Sequence, residues 1–293
     1  MVTQRLIRLL AGAALALALA APASAQSYLW EVISLSNRVY LYGTVHAGKK
    51  DWFPLDRAVE DALVDSKVLV VEADILDVQK LAASGKAMTY EPPDALKNHV
   101  PEADYERFRK LLPRYQLDEQ SVAQMKPFMA VSLLVFSEWA RAGFLPELSV
   151  DAYLLRKARA EVKPVVEIEG IDVQMKLIDS LTEAENRTIF EGTLTALESG
   201  LTSEQIEGMV GAWQKGDAAR LLAVAQKYNQ SVPGAREFEE KFVWARHAPM
   251  LAKIEGYLDS RERHFIAVGA LHLAGPRGLV ELLRKRGYIV RQK

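Results

Sequence analysis

The stretch HFIAVGALHLAG, residues 264–275, decides how this chain is read. Phe265 to Val268 are apolar and uncharged; Gly269 follows, then two residues, His272 and soon Gly275. A short apolar run of this kind suits a strand buried on both faces of a parallel sheet. The same order recurs near the other end of the chain in RVYLYGTVHAG, residues 38–48, where Gly43 precedes His46. With 17 glycines and five histidines in 293 residues, chance supplies about 0.3 Gly-x-x-His pairs. Two pairs, each closing a predicted strand, place two imidazoles at the C-terminal rim of a sheet. Open parallel sheets collect their ligands at that rim. Gly43 and Gly269 allow a tight turn or a close backbone approach there.

Outward from these motifs, KVLVVEAD (67–74) is another buried-strand candidate and ends in Glu72. KPVVEIEG (163–170) is a third parallel-strand candidate, closed by Glu169. YLWEVISLSNRVYLYGTVH (28–46) reads as two strands around a turn at SLSN, and PLDRAVEDALVDS (54–66) as a helix. From Leu96 to Tyr228 the pattern is mostly helical, and one long helix is predicted from Ala235 to Leu258. GPRGLVELLRKRG (275–287) predicts a last helix and YIVRQ (288–292) a last strand. The fold class expected is α/β, one domain over residues 26–293. Its central sheet is mainly parallel and is formed by the N- and C-terminal segments, whose ends lie side by side. A large helical insertion spans about 95–258, interrupted by a strand near 164–168.

Residues 1–25 have the layout of a secretory signal peptide. Arg5 and Arg8 precede an apolar run from Leu9 to Ala20, and Ala23-Ser24-Ala25 forms a cleavage site. The run falls short of the about 20 residues of a membrane helix. A periplasmic or secreted protein is therefore expected, cleaved after Ala25, with no membrane span in the mature chain. Without cysteine it has neither disulfides nor a thiolate. Removing Arg5 and Arg8 leaves 35 basic against 38 acidic residues, a net charge of −3 with no basic footprint for nucleic acid. Neither HExxH nor Gly-x-Ser-x-Gly occurs, so zincin and serine-hydrolase readings have no motif.

His46, His272 and Glu72 make a chemically coherent set. Two imidazoles and a carboxylate commonly hold a catalytic divalent metal, and without a metal the same groups serve as acid and base. A buried Glu72 is otherwise explained as a helix cap or an arginine partner. Asp151 stands in the first turn of a helix, where the dipole alone favours an acid. Arg246, in FVWARHAPM (242–250), is either a surface arginine or a clamp on developing oxyanion charge. His99, His247 and His264 lack the strand-Gly setting and are read as structural or solvent-facing.

Together YLYGTVHAG, VVEAD, SVDAYLLRKA, KPVVEIEGIDVQ, REFEEKFVWARHAPMLAKI and HFIAVGALHLAGPRGLVELLRKRGY resemble the TraB/GumN family, which includes the Tiki proteases. The resemblance runs from about Trp30 to Val290. It implies a fold related to the erythromycin esterase and ChaN-like proteins, and a metal-dependent hydrolase of the peptidase kind that uses a divalent ion (Mn, Co or Zn) and acts on a peptide or protein. Carried over by motif, His46, His272 and Glu72 hold the metal. Glu72, as ligand or general base, joins Asp151 and Arg246 in catalysis, and Glu169 supports them. His247 stands where the family often has asparagine, and Ile168 stands for leucine. The ChaN relationship implies an alternative, haem or metal capture without hydrolysis, with His46 or His272 as axial ligand. A third is a scaffold that contacts other envelope proteins.

Overall fold

The computed structural model describes residues 26–293, so the expected signal peptide lies outside the described residues. Strands β1 (Leu29–Ile33) and β2 (Arg38–Thr44) form an antiparallel hairpin. Its turn is closed by Ser34 N–H donating to the Asn37 carbonyl at 2.9 Å. Helix α1 (Arg57–Asp65) buries Val59, Ala62 and Leu63, the i, i+3, i+4 spacing of an amphipathic face. Strand β3 (Val68–Val71) is buried along its whole length. Helices α2 (Val78–Met88), α3 (Glu102–Leu111), α4 (Glu119–Val122), α5 (Pro127–Arg141) and α6 (Val150–Ala160) lead to β4 (Val165–Glu167). Next come α7 (Ile171–Asp179), α8 (Glu183–Ser199), α9 (Leu201–Gln214), α10 (Ala218–Ser231) and α11 (Ala235–Phe242). The chain closes with α12 (His247–Asp259), β5 (His264–Gly269), α13 (Leu279–Lys285) and β6 (Ile289–Gln292).

The six strands form one sheet in the order β4-β3-β5-β2-β1-β6. β4, β3, β5 and β2 run parallel, while β1 is antiparallel to both β2 and β6. The expected α/β fold with a mainly parallel sheet is therefore present, and the pairing of β1 with β6 brings the two ends together. β5 lies at the centre, with Phe265 to Val268 fully buried, as an uncharged apolar run requires. The helical segments carry a second apolar cluster that includes Phe108, Leu134, Phe190 and Leu194. The insertion is fastened to the sheet where Trp213 on α9 donates its indole N–H to the Gly43 carbonyl at 2.7 Å. A Cβ on Gly43 would lie 2.3 Å from the Tyr28 ring and 3.0 Å from Ala270 Cα, so only glycine fits.

The long helix predicted from Ala235 to Leu258 is broken. α11 stops at Phe242, Val243 has φ −121° and ψ −68°, and Trp244–Arg246 form a single tight turn before α12. Side chains brace the break, and one of them meets a carbonyl it frees. Arg246 Nη1 donates to the Phe242 carbonyl at 2.8 Å, and Trp244 Nε1 donates to Glu239 at 2.7 Å. Pro249 then falls in the first turn of α12, where its missing N–H carries no cost. The break turns Arg246 and His247 inward, toward the sheet rim.

Candidate functional site

β2 and β5 are neighbours in parallel register, Thr44 opposite Gly269, so the two Gly-x-x-His endings leave the sheet side by side. β3 flanks β5 on its other side and delivers Glu72 to the same rim. The three groups meet at Gly269. A Cβ built there would lie 3.3 Å from Glu72 Oε1, 3.5 Å from His46 Nε2 and 3.6 Å from His272 Cδ2. The sum of the last two distances, about 7 Å, caps the separation of those imidazole atoms. Gly269 is thus a notch kept open at the floor of a cleft of about 360 Å³.

Asp151 reaches His46 because of local backbone geometry. Ser149 caps α6, accepting from Ala152 N–H at 3.2 Å, and Val150 N–H donates to the Val45 carbonyl at 3.1 Å. The Asp151 carboxylate then meets His46 Nδ1 at 3.0 Å. That charge raises the imidazole to about 9, while partial loss of hydration pulls it down. The His46 side chain is 62% exposed, so water screens part of the upward pull.

Glu72 is buried among donors. Its Oε1 accepts from Gly269 N–H at 2.6 Å and its Oε2 from Gln174 at 3.2 Å and from Arg246 Nη2. Burial would raise this carboxyl, but protonated His272, Arg246, His46 and the Gly269 N–H hold it down at about 2. His272 adds to this only in acid, since burial pushes its own pKa down to about 3. At neutral pH the holding cations are Arg246 and His46. Arg246 also pairs with Glu169, at 3.0 Å through Nε and again through Nη2. Its side chain is 14% exposed, against 10% for Glu72 and 5% for Glu169. A guanidinium has five N–H donors, and those of Arg246 face Glu169, Glu72, Phe242 O and His272 Nε2. An oxyanion clamp, the role expected from the sequence, would have to exchange one of these partners for the substrate oxygen.

His272 and His247 form a short proton-ordered chain. Arg246 only donates, so at 3.2 Å it fixes His272 Nε2 as an acceptor. His272 Nδ1–H then donates to His247 Nε2 at 2.9 Å, and His247 Nδ1–H donates to the Arg277 carbonyl at 2.8 Å. Both rings are neutral in this arrangement, and burial lowers the pKa of each. His247, read from the sequence as structural or solvent-facing, is buried and hydrogen-bonded directly behind His272. His264 and His99 do lie apart: His264 bonds the Glu262 carbonyl and stacks on Tyr257, and His99 pairs with Asp94 and stacks on Tyr90.

The donor set suits a divalent ion in kind but not in its present arrangement. The lone pair that His272 Nε2 would offer faces the Arg246 cation, and among the described residues no three His, Asp or Glu side chains stand in metal-holding positions. Gln174 was not singled out from the sequence, and His247 was not placed beside His272. The proline three residues after Arg246 was the signal for His247, because it marks a helix start there. No comparable signal marks Gln174, which reaches Glu72 only through the turn after β4, where Gly170 adopts φ +104°.

Residues 28–292 match the TraB/PrgY/gumN family, and the chain belongs to that family. It is 23% identical over 266 residues to the uncharacterized protein YbaP of Escherichia coli (strain K12), which spans 88% of this chain and 93% of that protein. YbaP of Shigella flexneri is similar to the same extent, 23% over 266 residues. No solved structure matches the chain. Among the described residues, no helix is long and apolar enough to cross a membrane.

Proposed function

We propose that the rim cleft is the active site of an exported hydrolase that attacks a carbonyl group, with peptides and proteins the substrate class its family resemblance implies. The observation carrying this reading is the convergence of His46 Nε2, His272 and Glu72 on the Gly269 notch. Asp151 holds His46 through Nδ1, which leaves Nε2 turned to the cleft as the base that takes a proton from water. The same carboxylate stabilises the imidazolium that forms, and the imidazolium returns its proton to the leaving group. Glu72 is too weak a base for that step, held at about 2 by its donors. Its charge, fixed by Arg246, instead sets the electrostatics of the floor. Because the Asp151 charge raises His46 above its ordinary value, the base form is the minor one at pH 7 and the rate climbs with pH.

A second reading places a divalent ion (Mn, Co or Zn) on His46, His272 and Glu72. The same convergence favours it, and it requires Arg246 to leave His272 Nε2. The test is a panel of fluorogenic peptides and p-nitrophenyl esters, assayed in EDTA and then with each metal. Turnover that persists in EDTA supports the first reading, and turnover that appears only with added metal supports the second. Turnover in neither arm overturns both, and a Soret shift with haemin would then move the assignment to haem capture.

A further inference from the structure

The cleft does not end at the notch. A second cavity of about 250 Å³, between α5, α8, α9, α10 and α11, adjoins it, and six residues line both: Val135, Phe136, Met209, Phe238, Val243 and Leu271. All six are apolar, so the neck between the cavities offers no side-chain hydrogen bond. A peptide passing through would carry an N–H and a C=O at every residue, each costly to bury without a partner. A hydrocarbon chain carries none. The neck is built of large side chains left partly open. Phe136 is 42% exposed, and Phe128, Phe238 and Phe242 stack on one another with ring centroids 4.4 to 5.9 Å apart. The far cavity is lined mainly by apolar groups, with Ser132, Thr193, Gln205, Tyr228 and Asn229 among them; Thr193 is engaged by the Ile189 carbonyl at 2.7 Å, and the charged residue, Glu239, by Asn229 at 2.6 Å and Trp244 at 2.7 Å. The joint volume, about 600 Å³, is within the roughly 300–1,000 Å³ of small-molecule sites. Leu271, between Gly269 and His272, lies where the neck opens onto the floor.

We infer that the neck and far cavity bind an unbranched alkyl chain, and that the substrate is an acyl ester or N-acyl amide whose carbonyl sits at the Gly269 notch. This rests on the hydrolase reading above and names its substrate class. Water adds to the acyl carbonyl while His46 takes its proton. The C–O or C–N bond then breaks, and the proton passes to the departing alcohol or amine, leaving the fatty acid.

The test is binding of cis-parinaric acid, a fluorescent C18 chain, to the full mature protein, with displacement by saturated fatty acids from C4 to C16. Saturable binding is expected, with displacing affinity rising up to about fourfold per methylene added. Met209→Trp, which fills the neck, and Phe136→Asp, which charges an exposed wall, should each weaken binding at least tenfold while thermal unfolding stays near that of wild type. If Met209→Trp does not fold, Phe136→Asp decides. Absence of saturable binding, or binding unchanged in a folded neck variant, overturns the inference. So does displacement by N-acetyl-Phe-Leu-Phe-amide but not by palmitate, which would make the occupant a peptide. Chain-length-dependent binding without hydrolysis of any acyl ester would uphold the alkyl site and sink the hydrolase reading, so the two failures are distinct.

Discussion

Arg246→Met tests the electrostatics of the floor most severely, because methionine keeps the side chain's volume while removing its charge. Glu72 and Glu169 would then be two buried carboxylates with no cation between them. In the native protein Glu72 falls from 4.5 to about 2, worth about 3 kcal/mol at 1.36 kcal/mol per unit, a sum that Arg246 shares with the two histidines and the Gly269 N–H. Removing one partner of a buried pair independently predicts a loss of about 3–5 kcal/mol. For a domain of this size that is a fall in Tm of roughly 6–20 °C at pH 7.5. The sign with pH is fixed. A carboxyl whose folded pKa is depressed contributes stability above its unfolded pKa of 4.5, and loses it as pH falls through about 2. In the variant, burial and the Glu169 charge raise Glu72 instead, so it takes up a proton as pH falls toward 4. The gap between wild type and variant should therefore narrow steadily from pH 7.5 to pH 4.5 in calorimetric melts, and Glu169→Gln in the Arg246→Met background should recover part of it. A Tm within 2 °C of wild type at pH 7.5, or a gap that stays constant with pH, would refute the reasoning.

Other consequences are equally open to measurement. The Gly269 backbone, at φ −50° and ψ 135°, accepts any L residue. Gly269→Ala should then cost about 1 kcal/mol or less in stability, while its methyl, 3.3 to 3.6 Å from Glu72, His46 and His272, lowers kcat/KM at least tenfold. A Gly269→Ala enzyme with full turnover would exclude the notch as the reacting position. Gly43→Ala forces a methyl to 2.3 Å from the Tyr28 ring and should destabilise by about 1–3 kcal/mol in denaturant melts; an unchanged midpoint would contradict that packing. The His46 imidazole, raised toward about 9 by Asp151, should fall back toward 6.5 in Asp151→Asn when titrated by NMR. Because its folded pKa is raised, the pair stabilises fully below 6.5 and is lost as pH rises through about 9. An identical titration in both proteins would mean the contact is not made in solution.

Much of this was legible in the residues themselves. Phe265–Val268 and Val68–Val71 are strands buried on both faces, and such runs declare themselves by lacking charge. The paired glycines and histidines follow from where those strands end. Asp151 was legible as a helix-start acid, but its partner depends on the Val150–Val45 hydrogen bond, a tertiary contact no local pattern encodes. The apolar period through Ala235–Leu258 concealed the break at Val243, because Phe238 and Phe242 of α11, which line the cleft, continue in sequence the spacing of Met250, Leu251, Ile254 and Leu258 of α12, which face the core. Only Pro249 marked the restart. The alkyl-binding neck was not legible at all: its residues come from α5, α9, α11 and the turn after β5, each of which reads as ordinary core.

The most direct test of the rim as a working site is kcat/KM for wild type and His46→Ala, measured side by side in EDTA on whichever ester or peptide the panel shows to be turned over. The His46–Asp151 pair as general base predicts a loss of at least a hundredfold with Tm retained, since the His46 ring is largely exposed. A His46→Ala enzyme that keeps wild-type turnover would contradict the account at its centre.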